Sequence, residues 1–247
     1  MVGSLLLLSS KEVNPRFYRT HYLVALGLLA VTAIAASSQI NPAFGWALGV
    51  SMLLVCLASI IWSIQGNPGG WIVGVATTAA LATALVGWTV LSVAIRKAAL
   101  EELYPLHFSV ILLGEFSSAA LLGTAVTAML LGHFYLIAPG MSLTPLLRLL
   151  TALFVAAGLR MLLAGIGLRS WTMSHSLINW EDETVLWLPV RWGLGFGGPF
   201  ILGWMARSAT KIRSTQSATG ILYVVVVFVI LGELTSQLLM ANTGYML

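Results

Sequence analysis

Polar residues fall in short clusters along this chain, and long apolar stretches separate them. About 20 mostly apolar residues are enough for a helix to cross a bilayer, and such windows occur at 21–38, 44–64, 71–95, 108–138, 144–168, 184–206 and 218–240. The connectors are brief and rich in Gly, Pro, Asn and Ser, as in QINP at 39–42, QGNPGG at 65–70 and PGMS at 139–142. Short connectors join antiparallel neighbours, so the pattern predicts an all-α, polytopic integral membrane bundle of about seven transmembrane helices. Residues 1–20 read as a cytoplasmic or interfacial lead-in, because the run from Leu5 to Leu8 has no basic flank and is too short for a signal-peptide core. Residues 21–247 read as a single transmembrane domain with no evident repeat.

Composition agrees with the pattern. Hydrophobic residues make up 59% of the 247 and charged residues 8%, with a mean hydropathy of +0.96, whereas a soluble domain carries about 25% charged residues. So little charge cannot cover a water-facing surface. The net charge of +4 is spread thinly, with no basic run, which argues against nucleic-acid binding. A single cysteine, Cys56, excludes an intrachain disulfide, a haem c site, an iron–sulfur cluster or a Cys-rich zinc site built from this chain alone.

An odd number of spans puts the termini on opposite sides, and the excess of basic residues marks the inner one. With the N-terminus inside, the inner segments carry Lys11, Arg16, Arg19, Arg148, Arg207, Lys211 and Arg213. The outer segments carry Arg96, Lys97 and Arg169 together with Glu101, Glu102, Glu181, Asp182 and Glu183, which predicts N-inside, C-outside. Trp62, Trp71, Tyr104, Tyr135, Trp171 and Trp187 fall near span ends, the expected place for an interfacial aromatic belt. The spacing of Gly45 and Gly49, and the small residues from Gly74 to Ala80, predict close helix packing.

Four charges lie well inside spans: Glu115 in the fourth, Arg160 in the fifth, Arg191 in the sixth and Glu233 in the seventh. Because consecutive spans alternate in direction, each falls about 10–12 Å from the same membrane face at 1.5 Å per residue. Gln237 lies one turn beyond Glu233 on the same face. Ionisable groups at such depth are costly and mark ligand or proton pathways, while the same residues can also form an ion-pair clamp that sets helix register. The two readings stand side by side.

Residues 188–199 (LPVRWGLGFGGP) place two prolines and several glycines around Arg191, which predicts a kinked sixth helix beside a cavity. Gly193, Gly195 and Gly198 formally spell GxGxxG, but no strand precedes them, so this is not a dinucleotide fingerprint. Among the histidines, His107 and His133 would stand about 39 Å apart along one helix, too far for both to be buried in a hydrocarbon core of about 30 Å. His133, with His21 as its partner on the inner side, is therefore the candidate pair for a haem b. Glu115 and His133 are about five turns apart on one helix face, and Leu122, Val126 and Met129 between them leave no side-chain proton path.

The LLGEF entry to the fourth span at 112–116, in an all-helical chain with short loops, resembles the quinone-interacting membrane anchor subunits of the polysulfide reductase and dimethyl sulfoxide reductase type. The resemblance covers that one helix, and such anchors usually have eight or more spans. It implies a subunit of a respiratory or other electron-transfer complex in a bacterial cytoplasmic membrane. Such a subunit meets lipid and a redox partner, and binds quinone or quinol in the pocket of Glu115, Arg160, Arg191, Glu233 and Gln237 without being an enzyme on its own. The alternatives are a b-type cytochrome with haem near His133, a small-solute or ion transporter, and a purely structural or assembly subunit.

Overall fold

The computed structural model describes residues 1–37, 42–64, 70–100, 108–138, 140–174 and 183–247. The described residues are helical and contain no strand. A short 3-10 helix, Gly3–Leu7, precedes α1 (Pro15–Ala35), α2 (Pro42–Ile61), α3 (Gly70–Leu100), α4 (Phe108–Ile137) and α5 (Thr144–Ser174). The sixth span combines α6 (Glu183–Pro189), a π-helical stretch (Val190–Gly197) and α7 (Gly198–Lys211), and α8 (Thr215–Thr243) forms the seventh. Among the described residues, seven spans are long and apolar enough to cross a membrane. The outer surface fits that setting, with Trp46 77% and Leu162 66% exposed. Large apolar side chains exposed in this number mark a surface that water does not cover. His107, His175, Tyr104, Glu101, Glu102, Glu181, Asp182 and the connectors at 39–41 and 65–69 lie outside the described residues.

α1 starts earlier than the apolar window suggests. Asn14 caps it by accepting a hydrogen bond from the Arg16 N–H at 2.9 Å, and Pro15 occupies the first turn, where its missing N–H costs nothing. The helices form two layers. α4, α5, α7 and α8 pack as one bundle, and α1, α2 and α3 stack as a second group, with lighter contact between α3 and α4. α4 is the axis, since half of its span is buried, against 22% of α3.

Residues 1–8 do not lie outside the bundle as the lead-in was expected to. The 3-10 helix wedges between the layers and touches α3, α4 and α5, with Val2, Leu5 and Leu8 buried in the main apolar core. Missing side chains make the room. A Cβ on Gly123 would lie 2.0 Å from the Met1 backbone nitrogen, and one on Gly74 would lie 2.9 Å from Leu6 Cδ2. Gly74 thus packs as the small-residue pattern implied, whereas a Cβ on Gly49 would meet nothing within 4 Å among the described residues, so the Gly45/Gly49 spacing makes no close approach to them at Gly49.

The expected aromatic belt is also partly interior. Trp62, Tyr135 and Trp171 are buried; Trp62 stacks on Tyr18 with ring centroids 4.2 Å apart, and Tyr135 donates its hydroxyl hydrogen to the Ser142 carbonyl. Ring packing and a backbone acceptor inside the protein give an amphipathic side chain the same two environments that a membrane interface offers.

The sixth span widens where a kink was expected. Pro199 would clash with the carbonyl four residues before it in an α-helix, and the π-helical geometry avoids this by pairing the Gly198 N–H with the Gly193 carbonyl, five residues back. Two of the glycines here, Gly195 and Gly198, serve helix packing. A Cβ on Gly195 would lie 2.8 Å from Gly232 Cα and one on Gly232 2.4 Å from Gly195 Cα, so the π-helical backbone rests directly on α8. Gly198 likewise faces the Phe228 ring. This contact sets the distance between Arg191 and Glu233.

Candidate functional site

Three of the four intramembrane charges meet. Glu233 sits one residue after the Gly195–Gly232 contact and receives hydrogen bonds on both carboxylate oxygens. Arg160 on α5 donates through Nε at 3.2 Å and 3.1 Å and through Nη2 at 3.0 Å. Arg191 on the π-helical stretch donates through Nη1 at 3.0 Å. Ser118 on α4 donates through its hydroxyl at 2.7 Å. The cluster is dry: Arg160 is 2% exposed, Arg191 0% and Glu233 4%. Arg191 also lies over the Phe196 ring, 4.2 Å from its centroid, where the π face adds partial negative charge.

Four chain segments are thereby tied to one carboxylate. Charged hydrogen bonds of this kind are the strong ones, yet desolvation offsets much of the gain, so the cluster's net contribution is small compared with the cost of breaking it. Removing one partner of such a pair costs about 3–5 kcal/mol because a charge is left buried without compensation. Saturation by four donor groups also makes Glu233 a poor proton carrier, since a proton arriving there has to displace a guanidinium or hydroxyl hydrogen bond.

A fifth segment closes the cluster. Gly244 ends α8 in the left-handed region at φ 74°, with its N–H bonded to the Met240 carbonyl, and turns the chain back so that Tyr245, Met246 and Leu247 are buried. The Leu247 carbonyl oxygen accepts from Arg191 Nε at 3.2 Å and from the Ser236 hydroxyl at 2.9 Å, and Ser236 in turn accepts from Arg160 Nη2 at 3.0 Å.

Glu115 stands apart from the ion pairs. It is half-buried on α4, and together with Ser118, Glu233 and Gln237 it lines a cleft of about 390 Å³ between α4 and α8. Leu85 of α3, with Ala119, Leu122, Ile230 and Leu234, forms the apolar wall. Leu234 is 61% exposed, so the cleft opens sideways on the outer surface of the bundle. The five residues expected to form one pocket therefore divide. Arg160, Arg191 and Glu233 form the clamp, Glu115 and Gln237 form the polar lip of the cleft, and Glu233 is common to both.

The histidines have separate surroundings. His21 is fully buried, with Nε2 3.2 Å from the Met1 carbonyl and 3.3 Å from the Thr127 hydroxyl, and Thr127 pairs with the Ser4 hydroxyl at 2.6 Å. His133 is exposed. The hydrogen bonds of His21 run to Met1 and Thr127, and none joins it to His133. Among the described residues, no group of three His, Cys, Asp or Glu side chains is placed to hold a metal ion.

Sequence reasoning missed Ser118, Ser236, Leu247 and the Ser4–His21–Thr127 group. Ser118 and Ser236 were within reach, because they lie three residues after Glu115 and Glu233, on the same helix faces. Nothing in the pattern signalled that backbone at either end of the sequence enters the bundle. No protein-family model, curated protein or solved structure matches this chain, so function has to be argued from this geometry.

Proposed function

We propose that this chain is a multi-pass membrane protein that binds a lipid-soluble, carbonyl-bearing compound of the quinone class in the α4–α8 cleft, as a subunit of an electron-transfer complex. The observation that carries the reading is the cleft itself, with apolar walls, a lateral opening and a polar lip of Glu115, Ser118, Glu233 and Gln237. A flat ring with an apolar tail needs this combination of surfaces. Gln237 can donate its amide hydrogen to a ring carbonyl. Glu115, which has no hydrogen-bond or ion-pair partner among the described residues, can accept a proton from a ring hydroxyl. Glu233, held by two arginines, keeps the wall in place and is not the proton-transfer group.

The resemblance of residues 112–116 to membrane anchor subunits supplies the redox partner in this reading. The basic residues Lys11, Arg16, Arg19, Arg148, Arg207, Lys211 and Arg213 support an N-inside orientation in a bacterial cytoplasmic membrane. Glu12 and Arg148 form an ion pair 2.9 Å apart, at the end of the bundle that this reading takes as inner.

Titration of the protein in nanodiscs with a short-tailed quinone, followed by native mass spectrometry, tests the proposal. Binding should weaken about tenfold in Gln237→Leu, the loss of one buried hydrogen bond of about 1.4 kcal/mol, and Glu115→Leu should weaken binding of the quinol, whose ring hydroxyl needs an acceptor. Equal affinity in the unaltered chain and both variants refutes the site. A Soret band in the purified protein would bring back the haem reading.

A further inference from the structure

A second cavity, of about 470 Å³, lies between α1, α2 and α3. Its lining is apolar, with Leu29 and Ala36 on the α1 side, Phe44 and Leu48 from α2, and Ala84 and Trp88 from α3. The Phe44 and Trp88 rings pack at 5.5 Å between centroids. Thr32 also lines the space, but its hydroxyl already donates to the Leu28 carbonyl at 2.9 Å within α1. This cavity meets the α4–α8 cleft at Leu85, which lines both. On α3, Leu81, Ala84, Leu85 and Trp88 follow the i, i+3, i+4, i+7 spacing of one helix face, so the stripe that lines the cavity also supplies the wall of the cleft. The two spaces lie toward the same end of the bundle. The cleft uses the first half of α4 and the second half of α8, and the cavity uses the last turns of α1 and the first turns of α2.

We propose that the ligand of the α4–α8 cleft is a prenylated quinone, and that its tail passes Leu85 and lies in the cavity between α1, α2 and α3. This rests on the quinone reading and names the substrate class of that site. The ring needs a donor and an acceptor, which the polar lip of the cleft offers; the tail needs apolar contact, which the cavity offers. Side chains around an unfilled gap forfeit the dispersion contacts that atoms inside it would make, so a chain that fills the cavity is favoured over open space. Lipid chains compete for it, but a tail tethered to a ring in the adjoining cleft arrives at a high effective concentration. The volume of about 470 Å³ falls within the roughly 300–1,000 Å³ that small-molecule sites span. The cavity opens at Val31, which is 63% exposed, so a tail longer than the cavity continues into the bilayer.

The test uses a benzoquinone with a diazirine on its prenyl tail, photolysed with the protein in nanodiscs and mapped by peptide mass spectrometry. Label should fall on the cavity, at residues such as Leu48 and Ala84, and an excess of unlabelled prenylated quinone should remove it. Gln237→Leu, which loosens the hold on the ring, should lower the cavity label about tenfold, in step with ring binding. Ala84→Phe fills the space and should drive the label from it. Should Ala84→Phe fail to fold, Ala35→Trp, at an exposed position on the cavity rim, gives the same measurement. If a tailless quinone binds in a Gln237-dependent way while the tail label falls on lipid or on other helices, the tail site is overturned and the quinone reading stands. Cavity label that is unchanged in Gln237→Leu also overturns the tail site, because the tail is then not tethered to a ring in the cleft. Photoreactive phosphatidylglycerol that labels the cavity at full strength against excess quinone identifies a lipid acyl site and overturns it equally. If neither the tailless nor the tailed quinone binds, the quinone reading is refuted and the tail site falls with it.

Discussion

Gly123 and Gly114 lie about two and a half turns apart on α4 and so face opposite sides of it, and each receives a segment folded back into the bundle. At Gly123 the 3-10 helix presents Met1 and Ser4; at Gly114 the turn after α8 presents Met246 and Leu247. The geometric device is shared, and the chemistry differs. On the Gly123 side the contacts are hydrogen bonds without an ion pair, with the Met1 carbonyl meeting Ser4, His21 and Thr127. On the Gly114 side two guanidiniums share one carboxylate and two nitrogens are left over. Neutral hydrogen bonds can be closed within a small insertion, because each group needs only a nearby partner. Closing a charged cluster takes a partner for every charge, and here it draws groups from α4, α5, α8, the π-helical stretch and the turn after α8.

This contrast can be broken most severely at Glu233. Glu233→Gln should destabilise the protein by about 3–5 kcal/mol, since two buried guanidiniums lose their counter-charge, read as a lowered unfolding midpoint in a fixed micelle. A loss below about 1 kcal/mol would mean that the arginines already have another anion. The neutral side should respond less. His21→Phe keeps a ring in the site but removes the hydrogen bonds to Met1 and Thr127, for an expected loss of about 1–2 kcal/mol in the same measurement. An effect as large as that of Glu233→Gln would erase the distinction between the two insertions. The smallest effect is expected at the surface pair of Arg148 and Glu12, whose side chains are 49% and 29% exposed. Arg148→Ala should cost at most about 1 kcal/mol, and the difference should shrink as salt is raised.

The fate of individual residues shows how far a linear reading goes. Arg160, Arg191 and Glu233 were legible as partners because helix length converts sequence position into depth, and charges at equal depth in an apolar medium seek each other. Glu115 shares that depth and still makes no ion pair, because the rotation of α4 about its own axis is set by packing at Gly132 against Thr219 and Leu222 and by the two insertions. The sixth span shows the same limit. Its prolines and glycines announced an irregular helix, but whether the backbone would break or widen depended on the surface of α8 at Gly232.

By itself, then, the sequence determined the seven apolar spans, the shortage of charge in them and the position of each ionisable group along its span. These follow from local composition and from the fixed rise of a helix. Only the tertiary structure decided which charges touch, which glycines admit backbone, and that residues 1–8 and 244–247 fill the interior. Azimuth and insertion depend on contacts between segments far apart in the chain, and no local pattern of hydrophobic and polar positions encodes them.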